Sequence, residues 1–163
     1  MVYNTGTIGA SGPVSSAPIF TISGQGDGSG EGAGSVSFGN VSTGTILQPV
    51  AIVTSGANTT VYNSGTLGAT GPVSSAPIFT ISGQGDGAVG GSGNISFGNV
   101  GTIYQPVVIS NSGGTSTTIY NGGSLGAAGP VSSAPIFTIG GTGDGSGTGA
   151  GSISFGNAST GTI

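Results

Sequence analysis

The phrase GPVSSAPIF stands three times without change, at residues 12–20, 71–79 and 129–137. The copies are 59 and 58 residues apart, and the other landmarks keep the same steps. Tyr-Asn pairs begin at Tyr3, Tyr62 and Tyr120; Gly-Asp-Gly is centred on Asp27, Asp86 and Asp144; Ser-Phe-Gly-Asn begins at Ser37, Ser96 and Ser154. A fixed internal period predicts an array in which each unit buries its apolar face against its neighbours. Counted from the Ser-Phe-Gly-Asn segment, residues 36–94 and 95–152 are repeat units, 1–35 a partial unit, and 153–163 the first strand of a further one. A part-unit exposes strand edges that another chain can pair with. The expectation is therefore continuation at both flanks, through a longer tandem chain or through strand sharing between subunits joined head to tail.

Composition predicts strands and no helices. Leucine occurs only at Leu47, Leu67 and Leu125, glutamate only at Glu31, and lysine and arginine not at all, while glycine alone accounts for 38 of 163 residues. Helix formers are thus scarce, and Val, Ile, Thr and Phe supply the apolar pattern. Alternation marks strands at 35–40, 48–54, 59–63 and 76–82 and at their repeat equivalents. The segment 24–34, GQGDGSGEGAG, has no apolar side chain larger than alanine and reads as a surface loop, as do 83–93 and 140–151. Prolines 13, 18, 72, 77, 130 and 135 mark sheet edges or strand starts, because proline has no N–H to donate. A 58-residue all-β unit without disulfides or metal has too small a core to stand alone, so neighbouring units must lean on one another.

The missing residue types exclude most chemistry. The chain has no Lys, Arg, His, Cys or Trp, and a net charge of -4. Without side-chain cations it has nothing to neutralise a phosphate backbone, so nucleic acid is excluded as a partner. Thiolates, imidazole bases and Schiff-base amines are absent as well. The serine pairs 15–16, 74–75 and 132–133 hold hydroxyls but have no base to activate them, so the expectation is no enzyme and no cofactor. Apolar runs such as 49–53 and 134–139 fall far short of the roughly 20 residues of a membrane span. The opening residues MVYNTGTIGASG carry neither the basic segment nor the apolar stretch of a secretory leader.

The segment SFGNVGTIYQPVVISNSG at 96–113 is similar to the opening of immunoglobulin-like domains of the ASPM–SPD-2–Hydin type. The likeness rests on Phe97-Gly98-Asn99-Val100, the Gly101-Thr102 turn and Asn111-Ser112-Gly113, and more loosely on Phe38-Gly39-Asn40-Val41, Gly44-Thr45 and Gln48-Pro49-Val50. It covers about a third of each unit. The resemblance implies tandem immunoglobulin-like β-sandwich units, with a binding or architectural role on bacterial surfaces and no catalytic residues. A unit of 58 residues is shorter than the about 100 of such a sandwich.

Two sets of candidate sites remain. Asp27, Asp86 and Asp144 are calcium candidates, but each unit offers one carboxylate, with Glu31 added in the first, where calcium takes 6 to 8 oxygens. An Asx-turn in a glycine loop explains them as well. Sequons at Asn40, Asn58, Asn94 and Asn157 are glycosylation candidates. The nine Tyr and Phe residues at fixed repeat positions read as core, with a stacking ladder for sugars, or for an ice or mineral surface, as the alternative. Together these features predict an all-β, extracellular or cell-surface filament subunit or adhesin stalk, with itself and glycans as partners. The second reading is a phage or virus fibre, or a glycan-binding adhesin.

Overall fold

The computed structural model describes residues 1–10, 17–26, 35–69, 76–85, 93–113, 116–126, 135–142, 152–159 and 161. Among these residues there is no helix, and hence none long and apolar enough to cross a membrane. The strands are β1 (Val2–Asn4), β2 (Thr7–Ile8), β3 (Phe20–Gln25), β4 (Ser35–Asn40), β5 (Thr45–Ile46), β6 (Val50–Ser55), β7 (Asn58–Asn63), β8 (Thr66–Leu67), β9 (Phe79–Gln84), β10 (Ile95–Asn99), β11 (Thr102–Ile103), β12 (Val107–Ser112), β13 (Ser116–Asn121), β14 (Ser124–Leu125), β15 (Phe137–Thr142) and β16 (Ser152–Asn157). Every third strand belongs to the same sheet. Sheet I runs β1-β4-β7-β10-β13-β16, sheet II β2-β5-β8-β11-β14 and sheet III β3-β6-β9-β12-β15.

All pairings are parallel. The chain therefore winds through sheets I, II and III in turn, and each circuit is a rung stacked on the one before. Register in sheet I measures the rungs. Tyr3 lies beside Gly39, Gly39 beside Tyr62, Tyr62 beside Gly98, Gly98 beside Tyr120, and Tyr120 beside Gly156. Rungs of 36 residues thus alternate with rungs of 23 or 22, and each long-short pair makes one sequence period. The boundaries at 36, 95 and 153 fall where the chain passes from sheet III to sheet I, and the sheets run across them without a break.

The all-β expectation holds, but the immunoglobulin-like sandwich does not describe this topology. Such a sandwich is built from antiparallel strands, whereas here β10, β11 and β12 lie in three different sheets and pair only with strands a full rung away. The turn at Gly101-Thr102, which reads as part of a hairpin, is a corner. Asn99 Nδ2 donates to the carbonyl of Gly101 at 3.2 Å and bends the chain onto the next face instead of back along the strand.

One core fills the space between the sheets, with side chains from all three. Sheet II contributes Ile8, Ile46, Leu67, Ile103 and Leu125, and sheet III a column of isoleucines, Ile22, Ile52, Ile81, Ile109 and Ile139. The largest side chains alternate. In sheet I the inward column is Val2, Phe38, Val61, Phe97, Ile119 and Phe155; in sheet III it is Phe20, Val50, Phe79, Val107 and Phe137. Each complete rung therefore holds one phenylalanine and one β-branched residue at this level, with the sheets exchanging roles from rung to rung. The rings meet across the core in a staggered stack, with centroids 5.3 Å apart for Phe38–Phe79 and 5.5 Å for Phe97–Phe137. Edge-to-face contacts at such distances are favourable beyond simple burial.

The corner from sheet III to sheet I also has two forms. In long rungs a glycine at the end of sheet III (Gly24, Gly83, Gly141) leaves room that is filled by Val36, Ile95 or Ile153 at the start of the next strand. In short rungs the same position is polar and paired. The hydroxyls of Thr54 and Thr59 are 2.9 Å apart, and Asn111 Nδ2 donates to Thr117 Oγ1 at 3.2 Å. The short turn itself needs a left-handed residue, supplied by Gly56 and Gly113 at φ of 64° and 68°.

Replacing Phe97 by alanine is expected to cost about 3–5 kcal/mol in urea unfolding, as for a large buried aromatic. Exchanging the pair within its rung, Phe97→Val with Val107→Phe, keeps the volume of that rung but sets three phenylalanines in succession along sheet III, next to Phe79 and Phe137, so it should recover little of the loss. Recovery of the double variant to near the parent's stability would show that the alternation carries no packing constraint.

Candidate functional site

The most ordered polar feature of the molecule lies inside it. Each strand of sheet I ends in an asparagine whose side chain points inward, and consecutive ones are register partners: Asn4, Asn40, Asn63, Asn99, Asn121 and Asn157. Their amides form one unbroken chain. Nδ2 of each donates to Oδ1 of the next, at 2.8, 2.8, 2.7, 2.8 and 2.7 Å. The second N–H goes to the corner that follows: Asn40 to Gly44 O, Asn63 to Gly65 O, Asn99 to Gly101 O, Asn121 to Gly123 O and Asn157 to Gly161 O, at 2.9–3.2 Å. Asn40, Asn63, Asn99 and Asn121 are at most 1 % exposed. A buried primary amide left unpaired is costly, and here both N–H groups and the carbonyl are used. All the amides point the same way, so each bond polarises the next.

The recurring phrase behind this ladder is an asparagine followed two or four residues later by Gly-Thr or Gly-Ser and then Ile or Leu. It reads NTGTI, NVSTGTI, NSGTL, NVGTI, NGGSL and NASTGTI along the chain. Six copies in 163 residues, at alternating long and short steps, were the available signal for one structural turn per copy.

The structure sorts the sequence-derived candidates unevenly. Asp27, Asp86, Asp144 and Glu31 all lie outside the described residues, as do the serine pairs 15–16, 74–75 and 132–133. Among the described residues there is no group of three His, Cys, Asp or Glu that could hold a metal. The four sequons are all in described positions but differ in access. Asn40 belongs to the ladder, with both Nδ2 hydrogens engaged. Asn58 is half-buried, and its Oδ1 accepts from the backbone N–H of Gly93 and Asn94, at 3.2 and 3.0 Å. Asn94 is half-buried and accepts from Ser116 Oγ at 2.9 Å. Asn157 is exposed, although its Oδ1 accepts from Asn121.

The aromatic residues divide by type. Phe38, Phe79 and Phe97 are fully buried, whereas Tyr3, Tyr62 and Tyr120 are 62, 48 and 51 % exposed on the outer face of sheet I. In sheet I period-2 geometry explains the split, because the tyrosines stand one residue before the inward asparagine and Phe38 and Phe97 two; Phe79 faces inward from sheet III. The reading of all nine as core is therefore corrected for the tyrosines, and Phe155, on the last strand of sheet I, is 41 % exposed as well. Each tyrosine leans over a glycine of the following rung: a Cβ on Gly98 would come within 3.2 Å of the Tyr62 ring, and one on Gly39 within 2.6 Å of the Tyr3 ring. Two residues earlier on the same strands and the same face runs a hydroxyl row of Ser37, Thr60, Ser96, Thr118 and Ser154. This face has no ionisable side chain other than the phenols. Comparison with protein families, curated proteins and solved structures finds no match to the chain.

Two outcomes are expected from this geometry. Asn99→Ala orphans the Asn63 amide and the Asn121 carbonyl and should cost about 2–4 kcal/mol, whereas Asn157→Ala, at an exposed rung, should cost less than about 1 kcal/mol by the same reasoning. Chemical unfolding followed by far-ultraviolet circular dichroism reads both. In secreted material a glycan on Asn40 would replace one of the two N–H groups the ladder uses, so peptide mapping of the folded fraction should find Asn40 unmodified.

Proposed function

We propose that this chain is a structural segment of an extracellular filament, a fibre shaft or adhesin stalk, in which stacked rungs set length and stiffness. The observation that carries the reading is the asparagine ladder, continuous through six strands and in step with three parallel sheets. Such an array grows along one axis. Each added rung buries the apolar side chains of the one before and satisfies its amide, so extension by the same chain or by another uses the same contacts.

Two properties of the sequence favour an exposed setting. No Lys or Arg is present, so trypsin-like proteases find no cleavage site, and no Cys is present to depend on redox conditions. The predicted partners are accordingly further copies of the same repeat, and glycans displayed on or bound by its surface. A glycan-binding role is the second reading, and the exposed tyrosines favour it.

Cryo-electron microscopy of native material, with antibody labelling against the chain, tests the filament. Fibres are expected, with an axial spacing of about 4.8 Å from the strands and a stronger repeat at about twice that from the long-short alternation. Finding the chain only as dispersed particles inside cells would overturn the proposal.

A further inference from the structure

The Tyr and Gly residues on the outer face of sheet I alternate strictly along the solenoid axis: Tyr3, Gly39, Tyr62, Gly98, Tyr120, Gly156. The tyrosines come from long rungs and the glycines from short ones, so an exposed ring recurs every second rung, about 9.5 Å from the next at the usual strand spacing. The glycines allow the rings to lean across the sheet, since a Cβ at 39 or 98 would press on the ring of the preceding rung. Shielding of backbone does not by itself account for the pair. A glycine replaced by any residue with a side chain would shield its own strand, and the tyrosine would then be unnecessary.

We propose that this face binds a neutral, extended, β-1,4-linked polysaccharide lying along the solenoid axis, with sugar rings stacked on Tyr3, Tyr62 and Tyr120. Three features of the face select that ligand. Aromatic rings offer apolar surface to the C–H faces of sugars, and the phenol oxygens keep hydrogen-bonding capacity at the edge. The hydroxyl row at Thr60, Ser96, Thr118 and Ser154 runs parallel to the rings and faces solvent, where it can pair with sugar hydroxyls. The absence of charge matches a neutral polymer, because an anionic one would meet no cation here. Spacing narrows the choice further. Successive sugars of a β-1,4-linked chain are turned by half a revolution, so the same face returns at every second sugar, a disaccharide step close to two strand spacings. An α-1,4-linked chain coils and does not present such a row. The proposal does not depend on the filament reading, since the face exists on a single chain.

The test uses the 163-residue chain with insoluble cellulose and chitin, and with amylose and laminarin as the α-1,4- and β-1,3-linked controls. Retention on the β-1,4-linked polymers is expected, with the Tyr62→Ala/Tyr120→Ala pair binding about tenfold or more weakly, as loss of two stacking contacts implies. The Tyr62→Phe/Tyr120→Phe pair should bind nearly as well as the parent. Nitration of the unsubstituted chain gives a readout independent of any folding defect. Cellohexaose should protect Tyr62 and Tyr120 and leave Tyr104, which follows β11 and lies off the row, unprotected. Absence of retention on both β-1,4-linked polymers, equal retention on amylose or laminarin, unaltered binding of the alanine pair, or equal protection of all tyrosines would each overturn the proposal.

Discussion

A primary amide buried in an apolar interior has two hydrogens and a carbonyl to satisfy, and this requirement organises the whole molecule. The inward asparagines meet it by binding one another along the axis and binding the backbone at each corner. The first bond fixes axial register, because a rung displaced by one residue would put its asparagine on the solvent face. The second fixes where sheet I stops and the chain turns toward sheet II. Backbone pairing alone is indifferent to sequence, so the amide ladder is what prevents near-identical rungs from slipping past one another.

Packing explains why the sequence period is two rungs and not one. A uniform phenylalanine column would crowd one side of the prism and leave the other underfilled, whereas alternating Phe38 with Phe79 and Phe97 with Phe137 spreads aromatic volume evenly. The corner from sheet III to sheet I follows the same alternation. Gly83 admits Ile95 where the long rung closes, and Thr54 bonds Thr59 where the short rung closes. Each rung type thus has its own complementary solution, and each is stacked against the other type. Exchange of a long rung for a short one would place phenylalanines on phenylalanines and isolate a polar corner.

Much of this was legible in the sequence. The repeat, the all-β character and the strands near 35–40, 48–54, 59–63 and 76–82 follow from alternation, and the structure places β4, β6, β7 and β9 within a few residues of them. The two-residue strands of sheet II were not visible, because two residues such as Thr45 and Ile46 carry no period. Strand direction was missed for a different reason. Alternation specifies which face a residue occupies and is silent on whether the partner runs parallel, and a glycine after Asn99 suits a hairpin as readily as a corner. The exposure of the tyrosines, by contrast, could have been read from their position relative to asparagine: Tyr62 one residue before Asn63 and Phe97 two before Asn99 cannot share a face in extended backbone.

The division between inside and outside also separates what is constrained from what is free to vary in role. Inward positions are bound to the ladder and the alternating core, so among the described strands the chemistry available to a partner must come from outward rows. In the sequence every carboxylate, Asp27, Glu31, Asp86 and Asp144, falls between the last strand of a long rung and the first strand of the next, outside the described residues. The flanks of those connections, at β3 and β4, at β9 and β10, and at β15 and β16, lie along one edge of the prism. The strands of sheet I themselves contain no carboxylate side chain. A face of that composition, flat in register and neutral across five rungs, would invite sideways association between copies unless something covers it. A bound neutral polysaccharide would meet that condition.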